Sequence, residues 1–368
     1  MSAWIDPQSR YGSQYYDYAM SFRALAIAID ELPNSIEKYN QLPAIQFLLN
    51  DRESNVLQRT QYLEAFSYGD PGVLLASPGP SLSGLMLREL GSPQQIDYFY
   101  SLLQSQSMRT FFALTEPDKG SDANLIKTIL EKNSEKNAYI LNGEKCFCGN
   151  GAVAEMGVVI AKIGSTPAGM RAVWLPPVLL KQKGVLRENL PMFSLRGAQI
   201  AHLQFNDCAI SDEFILGKHK PASQRGLLGI IKVFNQLRTG VGAIAIGHAQ
   251  AVYDLFFEIY KNYPITKSLD FLKLNSSLDA ARDLLKVAAQ KVSEDPMDGT
   301  GVSIAKMNAT QTAEKVVTFC IHHAQWSHLI EYPWLLKAYR DVFCWEYMEG
   351  TSQIQRNHVI RAIKESCI

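Results

Sequence analysis

The chain has 368 residues, 47% of them hydrophobic, and its 36 basic side chains are balanced by 36 acidic ones. A disordered chain combines low hydrophobicity with high net charge, so this composition excludes that class. Nucleic-acid-binding proteins usually carry a basic excess, and zero net charge therefore argues against such a partner, while leaving room for a local basic patch. No run approaches about 18 apolar residues, so we expect no membrane partner.

Six cysteines are scattered along the chain, and none belongs to a Cys-x-x-Cys pair. We therefore expect reduced thiols in a cytoplasmic protein. The first residues lack a basic stretch followed by an apolar run, so no signal peptide is predicted. The spacing of His322, His323 and His328 fits no common zinc site, and we predict no metal.

Residues 14–107 have helical patterning, with apolar segments such as 24–29 separated by prolines. A turn is predicted at 77–81, where proline, glycine and serine cluster. The first part of the chain is thus predicted to be a helical domain spanning residues 1–108.

The pattern changes from helices to strands near Arg109. Asn142-Gly143 lies between two strand-like segments and predicts a two-residue hairpin turn, because Asn-Gly favours positive φ values. Further strands are predicted at 158–161, 172–175 and 201–205. These signals predict a central β domain spanning residues 109–220.

Helical patterning returns after Pro221. Apolar residues recur at three- and four-residue steps between 241 and 259, which places them on one helix face. Pro264 is expected to end that helix, and more helices are predicted at 278–289, 305–323 and 338–349. The C-terminal part is therefore predicted to be a helical domain spanning residues 221–368.

The loop at 111–122 offers hydroxyls, a glycine and backbone amides, which can hold a polar ring edge or a phosphate-bearing ligand. An ordinary connection between domains is the plainer reading of that loop. Other segments with residues suited to chemistry are 141–150, 193–211, 234–238 and 346–356.

Three of these motifs occur in a specific order: Thr-Glu-Pro-x-x-Gly-Ser-Asp at 115–122, Asn-Gly-x-Lys at 142–145 and Glu-Gly-Thr-Ser-Gln-Ile-Gln-Arg at 349–356. In this order they resemble the acyl-CoA dehydrogenase family over nearly the whole chain. The resemblance implies an α+β multidomain fold that is mainly α. Its parts are an N-terminal helical domain, a central β-barrel-like domain and a C-terminal four-helix bundle.

The resemblance also implies an FAD cofactor, an acyl thioester substrate and particular site residues. Glu349 matches the catalytic base, which removes the α-proton while the β-hydride passes to flavin N5. The implied flavin contacts are Phe112, Leu114, Thr115, Gly120, Ser121, Phe147, Gly149, Thr351 and Gln353. The implied substrate contacts are Ser121, Arg238 and Gly350.

The chemistry explains why such residues are needed. The α-proton of a thioester is weakly acidic, so hydrogen bonds must stabilise the charge that develops on the carbonyl oxygen. A base in a water-poor pocket has its pKa raised toward neutrality. The plainer readings are a solvated helix-end carboxylate for Glu349 and a surface salt bridge for Arg238.

The sequence departs from the family pattern at several positions. Phe147 stands where the family usually has Trp, and Gly149 where it usually has a hydroxyl residue. The runs Arg-x-x-Phe-Gly and Gln-x-x-Gly-Gly-x-Gly are missing, and the chain has 261–267 and 323–333 in their places. Both runs normally help a neighbouring subunit hold FAD, so we expect other residues to hold it or weaker binding. A homodimer is then expected more than a homotetramer.

The function expected from the resemblance is FAD-dependent α,β-dehydrogenation of an acyl thioester, either acyl-CoA or acyl carrier protein. The divergence suggests a biosynthetic enzyme that oxidises a substituted short acyl group on a carrier protein. Acyl-CoA oxidase and a non-catalytic flavoprotein that binds DNA or a partner are the alternatives. The expected electron acceptor is an electron-transfer flavoprotein or oxygen, and the nearest basic patch is Lys218, Lys220 and Arg225.

Overall fold

The computed structural model describes residues 4–118, 120, 125–133, 138–164, 169–221 and 224–366. Along the chain, a helical part is followed by a sheet and then by a second helical part, as expected. Ser121, a predicted site residue, lies outside the described residues. Within the described ranges, no helix is both long enough and apolar enough to span a bilayer.

The N-terminal part consists of short and medium helices. Several begin with a proline in the first turn, where its missing N–H costs nothing. The turn predicted at 77–81 is confirmed, since it separates two of these helices. The helices are α1 (Pro7–Tyr11), α2 (Ser13–Glu31), α3 (Pro43–Leu49), α4 (Val56–Gly69), α5 (Pro71–Ala76), α6 (Ser81–Leu90) and α7 (Pro93–Gln106).

The central part is a sheet of seven strands in the described ranges, in the order β1-β4-β2-β3-β7-β6, with β5 on the other edge of β4. The strands are β1 (Thr110–Ala113), β2 (Ile129–Asn133), β3 (Ala138–Cys148), β4 (Met156–Lys162), β5 (Met170–Leu175), β6 (Val185–Asn189) and β7 (Ala201–Ser211). β4 runs parallel to β1 and β2, and the other pairs are antiparallel. The strands predicted at 158–161, 172–175 and 201–205 are confirmed.

The hairpin predicted at Asn142-Gly143 is wrong. β3 runs straight through both residues, and its register with β7 shifts between Leu141 and Gly143. Gly143 has φ +139°, and a Cβ there would lie 2.6 Å from the Cα of Thr128. Asn-Gly therefore forms an irregularity inside a long strand, where the glycine permits a close backbone approach.

The C-terminal part contains four long helices that pack against one another. The helices after the first six strands are α8 (Pro177–Leu180), α9 (Leu227–Tyr260), α10 (Leu269–Glu294), α11 (Thr300–His323), α12 (Trp326–Glu331), α13 (Pro333–Val342), α14 (Cys344–Tyr347) and α15 (Ser352–Ser366). The long ones are α9, α10, α11 and α15. Pro264 follows the end of α9, as expected.

The single helix predicted at 338–349 is wrong. α13 ends at Val342, a short α14 follows, and Glu349 lies in the loop before α15. Glu349 and Gly350 have φ values of +54° and +96°, which a right-handed helix cannot contain. The break places Glu349 in a loop between helices rather than on a helix surface.

The two helical parts share one apolar core, and the sheet encloses a second one. α4 packs closely against α9 at Gly247, where a Cβ would lie 2.0 Å from the carbonyl oxygen of Glu64. Because α4 and α9 belong to the first and last parts of the chain, this approach joins the two helical parts.

Gly247→Ala should lower the free energy of unfolding by about 1–3 kcal/mol, because the added methyl forces α4 and α9 apart. Gly301→Ala is the matched control, since a Cβ there meets nothing within 4 Å. It should leave stability unchanged or raise it by up to about 1 kcal/mol. Chemical denaturation of the two variants would measure the difference, and equal midpoints would contradict the close approach.

Candidate active site

The loop that carries Glu349 has an unusual backbone. Glu349 and Gly350 both lie in the left-handed region, with φ +54° and +96°. Such a conformation is costly for a glutamate and persists only where the surroundings impose it. At Gly350 a Cβ would approach the Nε2 atom of Gln355 to 2.7 Å, so glycine is also required for space.

Three side chains from three helices hold this loop by its backbone carbonyls. Lys306 Nζ, on α11, donates to the carbonyls of Glu346 at 3.0 Å and Gly350 at 2.8 Å. Gln355 Nε2, on α15, donates to the carbonyls of Glu349 and Gly350 at 3.0 and 3.1 Å. Arg238 Nε, on α9, donates to the carbonyl of Glu349 at 3.3 Å. The loop is therefore fixed from several directions.

The elements that flank the loop are also anchored. The Glu346 carboxylate accepts hydrogen bonds from the backbone N–H and the hydroxyl of Ser352 at 2.7 and 2.6 Å, which joins α14 to the start of α15. Trp345 is fully buried, and its indole donates to His248 Nδ1 at 3.1 Å. Burial lowers the pKa of His248 to about 3, so it stays neutral and accepts this bond.

The Glu349 carboxylate is the one part of the loop left uncommitted. It makes no hydrogen bond to any residue that the structure describes, and the residue is half-buried. Burial raises the pKa of Glu349 to about 7, opposed by the positive charges of Arg238 and Lys306. A carboxylate with a pKa near neutrality and free oxygens is suited to accept a proton.

The end of β1 lies beside the helix that supports this loop. Phe112 on β1 contacts Phe234 on α9, with ring centroids 5.7 Å apart. Phe234 is four residues before Arg238, so both side chains lie on the same face of α9. Arg238 is in turn held by Asn235, whose Oδ1 accepts from Nη1 at 2.8 Å. The predicted residues Phe112, Arg238 and Glu349 are thus connected through α9.

The predicted flavin residues of β1 and β3 form a second group. The backbone N–H of Cys146 donates to the carbonyl of Thr115 at 2.8 Å, which brings the segment after β1 against β3. The next residue, Phe147, has φ +58° and a side chain that is 62% exposed. Gly149 follows in a turn, and a Cβ there would meet nothing within 4 Å. Leu114 and Thr115 are half-buried.

A buried ion pair holds these two segments together. Lys145 Nζ lies 2.9 Å from Glu116 Oε1 and also donates to the carbonyl of Leu114 at 2.9 Å. Glu116 accepts further hydrogen bonds from the Lys127 N–H and from the N–H and hydroxyl of Thr128, at 2.6 to 2.9 Å. The Glu of the first motif and the Lys of the second thus pair with each other, a role that the sequence analysis did not assign.

The remaining predicted residues are more exposed. Thr351 precedes α15, where its hydroxyl accepts from the Ile354 N–H at 3.4 Å, and Gln353 Nε2 donates to Asn357 Oδ1 at 3.4 Å. Gly120 is exposed, and a Cβ there would lie 3.5 Å from Thr115. The flavin roles of these residues stay predictions.

The sequence analysis missed Lys306 and Gln355, although the sequence contains a signal for the lysine. Lys306 is fully buried and lies on the apolar stripe of α11, where a charged side chain is out of place. The other buried members of that stripe include Val302, Ala305, Ala309 and Ala313. No pattern marks Gln355, because a glutamine in a first helical turn is ordinary.

The two segments that replace the missing glycine-rich runs are held together by one tyrosine. The Tyr260 hydroxyl accepts from the Gln325 N–H and contacts His328 Nδ1, both at 2.7 Å. Trp326 and Ile330 on α12 are 77% and 78% exposed. The shorter segment at 323–333 is therefore an ordered helix with an exposed apolar edge.

Two family models match this chain. Residues 111–208 match the acyl-CoA dehydrogenase middle domain, and residues 224–364 match the acyl-CoA dehydrogenase C-terminal domain. Together the two matches cover more than half of the chain, including the sheet and the long C-terminal helices.

Individual proteins agree with the family models. The acryloyl-CoA reductase (NADH) of Anaerotignum propionicum is 28% identical over 292 residues, which are 74% of this chain and 71% of that protein. Among solved structures, the prolyl acyl carrier protein oxidase AnaB has a TM-score of 0.83 at 19% identity, covering 98% of this chain and 100% of that one. PigA with FAD and proline has a TM-score of 0.83 at 18% identity and covers 99% of both chains. This chain belongs to the acyl-CoA dehydrogenase family.

Proposed function

We propose that this protein is an FAD-dependent enzyme that oxidises the Cα–Cβ bond of an acyl thioester, with Glu349 as the catalytic base. The observation that carries the proposal is the Glu349 carboxylate: it is half-buried, has a pKa raised to about 7 and lies on a loop fixed by its backbone. Family membership supports the reaction class, and the geometry supports the role of this residue.

The residues of β1 and β3 fit a flavin ring. The exposed Phe147 offers a flat apolar face, the absent side chain of Gly149 leaves open space, and Thr115 supplies a hydroxyl. PigA, which shares the fold, is solved with FAD. When bound, FAD supplies the acceptor for the hydride that leaves the β-carbon.

In this proposal the chain's own residues prepare the α-carbon for proton loss. Glu349 takes the α-proton on a carboxylate oxygen that makes no competing hydrogen bond within the described residues. The fixed loop keeps that oxygen in one position, which avoids an entropic cost at the moment of reaction. Arg238 fixes the loop from α9 and lowers the proton affinity of Glu349, so that the base is partly ionised near neutral pH.

We propose an acyl carrier protein as the thioester carrier, with coenzyme A as the alternative. The departures from the family pattern at 261–267 and 323–333 motivate this choice, and AnaB shows that the fold can act on a carrier-bound acyl group. A local basic patch supports it further. Burial and the charge of Arg225 lower the pKa of Arg171, which places two guanidinium groups close together, and Lys220 lies nearby in sequence.

The experiment that tests this proposal mixes the oxygen-free, FAD-loaded protein with a panel of acyl-CoA and acyl carrier protein thioesters. The expected result is loss of the flavin absorbance band with carrier-bound substrates, faster than with the matching acyl-CoA. Equal rates would contradict the choice of carrier, and no bleaching by any thioester would contradict the reaction. Admitting oxygen afterwards distinguishes an oxidase, which reoxidises at once, from a dehydrogenase that needs a protein acceptor.

The rate of flavin reduction should rise with pH through about 7. The raised pKa of Glu349 means that the carboxyl carries a proton below about pH 7 and cannot accept another, whereas above this value it is an ionised base. Stopped-flow measurement of kcat/KM against pH would give the position of the acid limb. A flat profile through pH 7 would contradict the role of Glu349.

A further inference from the structure

The base loop, residues 346–350, is closed by a single ammonium group. Lys306 Nζ donates to the carbonyl of Glu346 at one end and to that of Gly350 at the other. Glu349 lies between these two anchors, and its own carbonyl is held separately by Gln355 and Arg238. Both ends of the segment that positions the carboxylate therefore depend on one side chain.

A lysine is an expensive residue in this position. Lys306 is fully buried, and its two hydrogen-bond acceptors are neutral carbonyls rather than carboxylates. Burying an ammonium without a directly paired anion costs free energy that a methionine of similar length avoids. Burial accordingly lowers the pKa of Lys306 to about 8, opposed by the negative charges of Glu346 and Glu349. Packing alone thus gives no reason for a lysine here.

The charged groups around Glu349 come from four helices. Lys306 on α11 and Arg238 on α9 are the positive charges that favour its ionised form. The Glu346 carboxylate on α14 is occupied by Ser352. His358 on α15 has its pKa lowered by burial and by the charges of Arg238 and Arg361, so it stays neutral near pH 7. Among these groups, Lys306 is the one that both fixes the loop at two points and adds a positive charge.

We propose that Lys306 is a positioning residue, whose ammonium clamps the base loop at both ends and holds the Glu349 carboxylate where it can reach the substrate. This inference rests on the proposed role of Glu349 and adds a residue that acts through it. Lys306 does not touch substrate or cofactor in this proposal. Its effects are to restrain the loop and to supply a nearby positive charge.

Three variants test the clamp. Lys306→Met removes both the hydrogen bonds and the charge, and Lys306→Gln keeps a neutral N–H donor. Lys315→Met removes a lysine from the exposed face of the same helix and serves as the control. Amide hydrogen exchange of the base loop, measured on the purified full chain by mass spectrometry, reports the restraint without any substrate.

In Lys306→Met the loop amides should exchange at least about ten times faster, while the peptides of α9 and α10 keep wild-type rates. With a substrate from the thioester panel, kcat should fall by about 10- to 100-fold with KM within about twofold, because the base is displaced rather than the binding surface lost. The acid limb of the pH profile should move to higher pH, since a positive charge beside Glu349 is gone. Lys315→Met should change none of these values.

Lys306→Gln keeps the proposal testable if the methionine variant does not fold. It should show the same displacement of the acid limb with a smaller increase in exchange, because a neutral donor retains part of the clamp. Wild-type exchange of the loop in the lysine variants, or a fall in kcat with an unmoved acid limb, would overturn the proposal. Failure of the base assignment is seen elsewhere, as an active Glu349→Gln enzyme, so the two failures are distinguishable.

Discussion

Glu349→Gln should slow flavin reduction by an acyl thioester by about 10²–10⁴-fold, the range that a positioned general base contributes. The amide has nearly the shape of the carboxylate but cannot accept the α-proton. The loop should keep its conformation, because Lys306, Gln355 and Arg238 hold it by backbone carbonyls and not by the Glu349 side chain. FAD content and thioester binding are therefore expected to match those of the wild-type protein.

Two further variants sharpen this test. Glu349→Asp keeps a carboxylate but withdraws it by one methylene, and we expect a smaller loss of about 10- to 100-fold. Glu331→Gln makes the same chemical change at an exposed position on α12 and should leave the rate unchanged. Anaerobic stopped-flow absorbance gives the rate, and a separate titration with a thioester gives the binding. A Glu349→Gln variant that reduces its flavin at the wild-type rate would show that the base lies elsewhere.

Lys145→Met should lower the free energy of unfolding by about 3–5 kcal/mol, the usual effect of removing one partner from a buried ion pair. Lys145 and Glu116 are 0% and 4% exposed, so water cannot replace the missing charge. Although burial opposes ionisation of Glu116, the Thr128 hydroxyl and Lys145 hold its pKa below the usual range. The variant leaves an ionised carboxylate buried with its three Lys127 and Thr128 donors alone.

Lys127→Met is the matched control for this prediction. Lys127 pairs with Asp118 at 3.4 Å, but both side chains are largely exposed, so its loss should change stability by less than about 1 kcal/mol. Chemical denaturation at neutral pH would compare the two variants. Because the pKa of Glu116 is lowered on folding, its contribution is present above the unfolded value of about 4.3 and is lost as the pH falls through the folded value. Equal denaturation midpoints for Lys145→Met and Lys127→Met would contradict the importance of the buried pair.

Much of the architecture followed from local patterns. Strand signals in 158–161, 172–175 and 201–205 and the helical periodicity of α9 correspond to observed elements, because alternation and three- to four-residue spacing directly encode burial on one face. The pair Asn142-Gly143 was misread for a related reason. Its preference for positive φ is local, but whether the chain then turns or continues depends on Thr128 and β7 beside it.

By itself the sequence determined the order of helical and strand segments, the family resemblance and the candidate carboxylate Glu349. These properties depend on residue types and on spacings of a few positions. Only the tertiary structure decided how that carboxylate is presented. Lys306, Gln355 and Arg238 lie on three different helices, and they meet at the base loop because those helices pack together. Glu116 and Lys145 are likewise separated in sequence and paired by the fold. Burial and through-space charge set the pKa of Glu349, and neither quantity exists until the chain has folded.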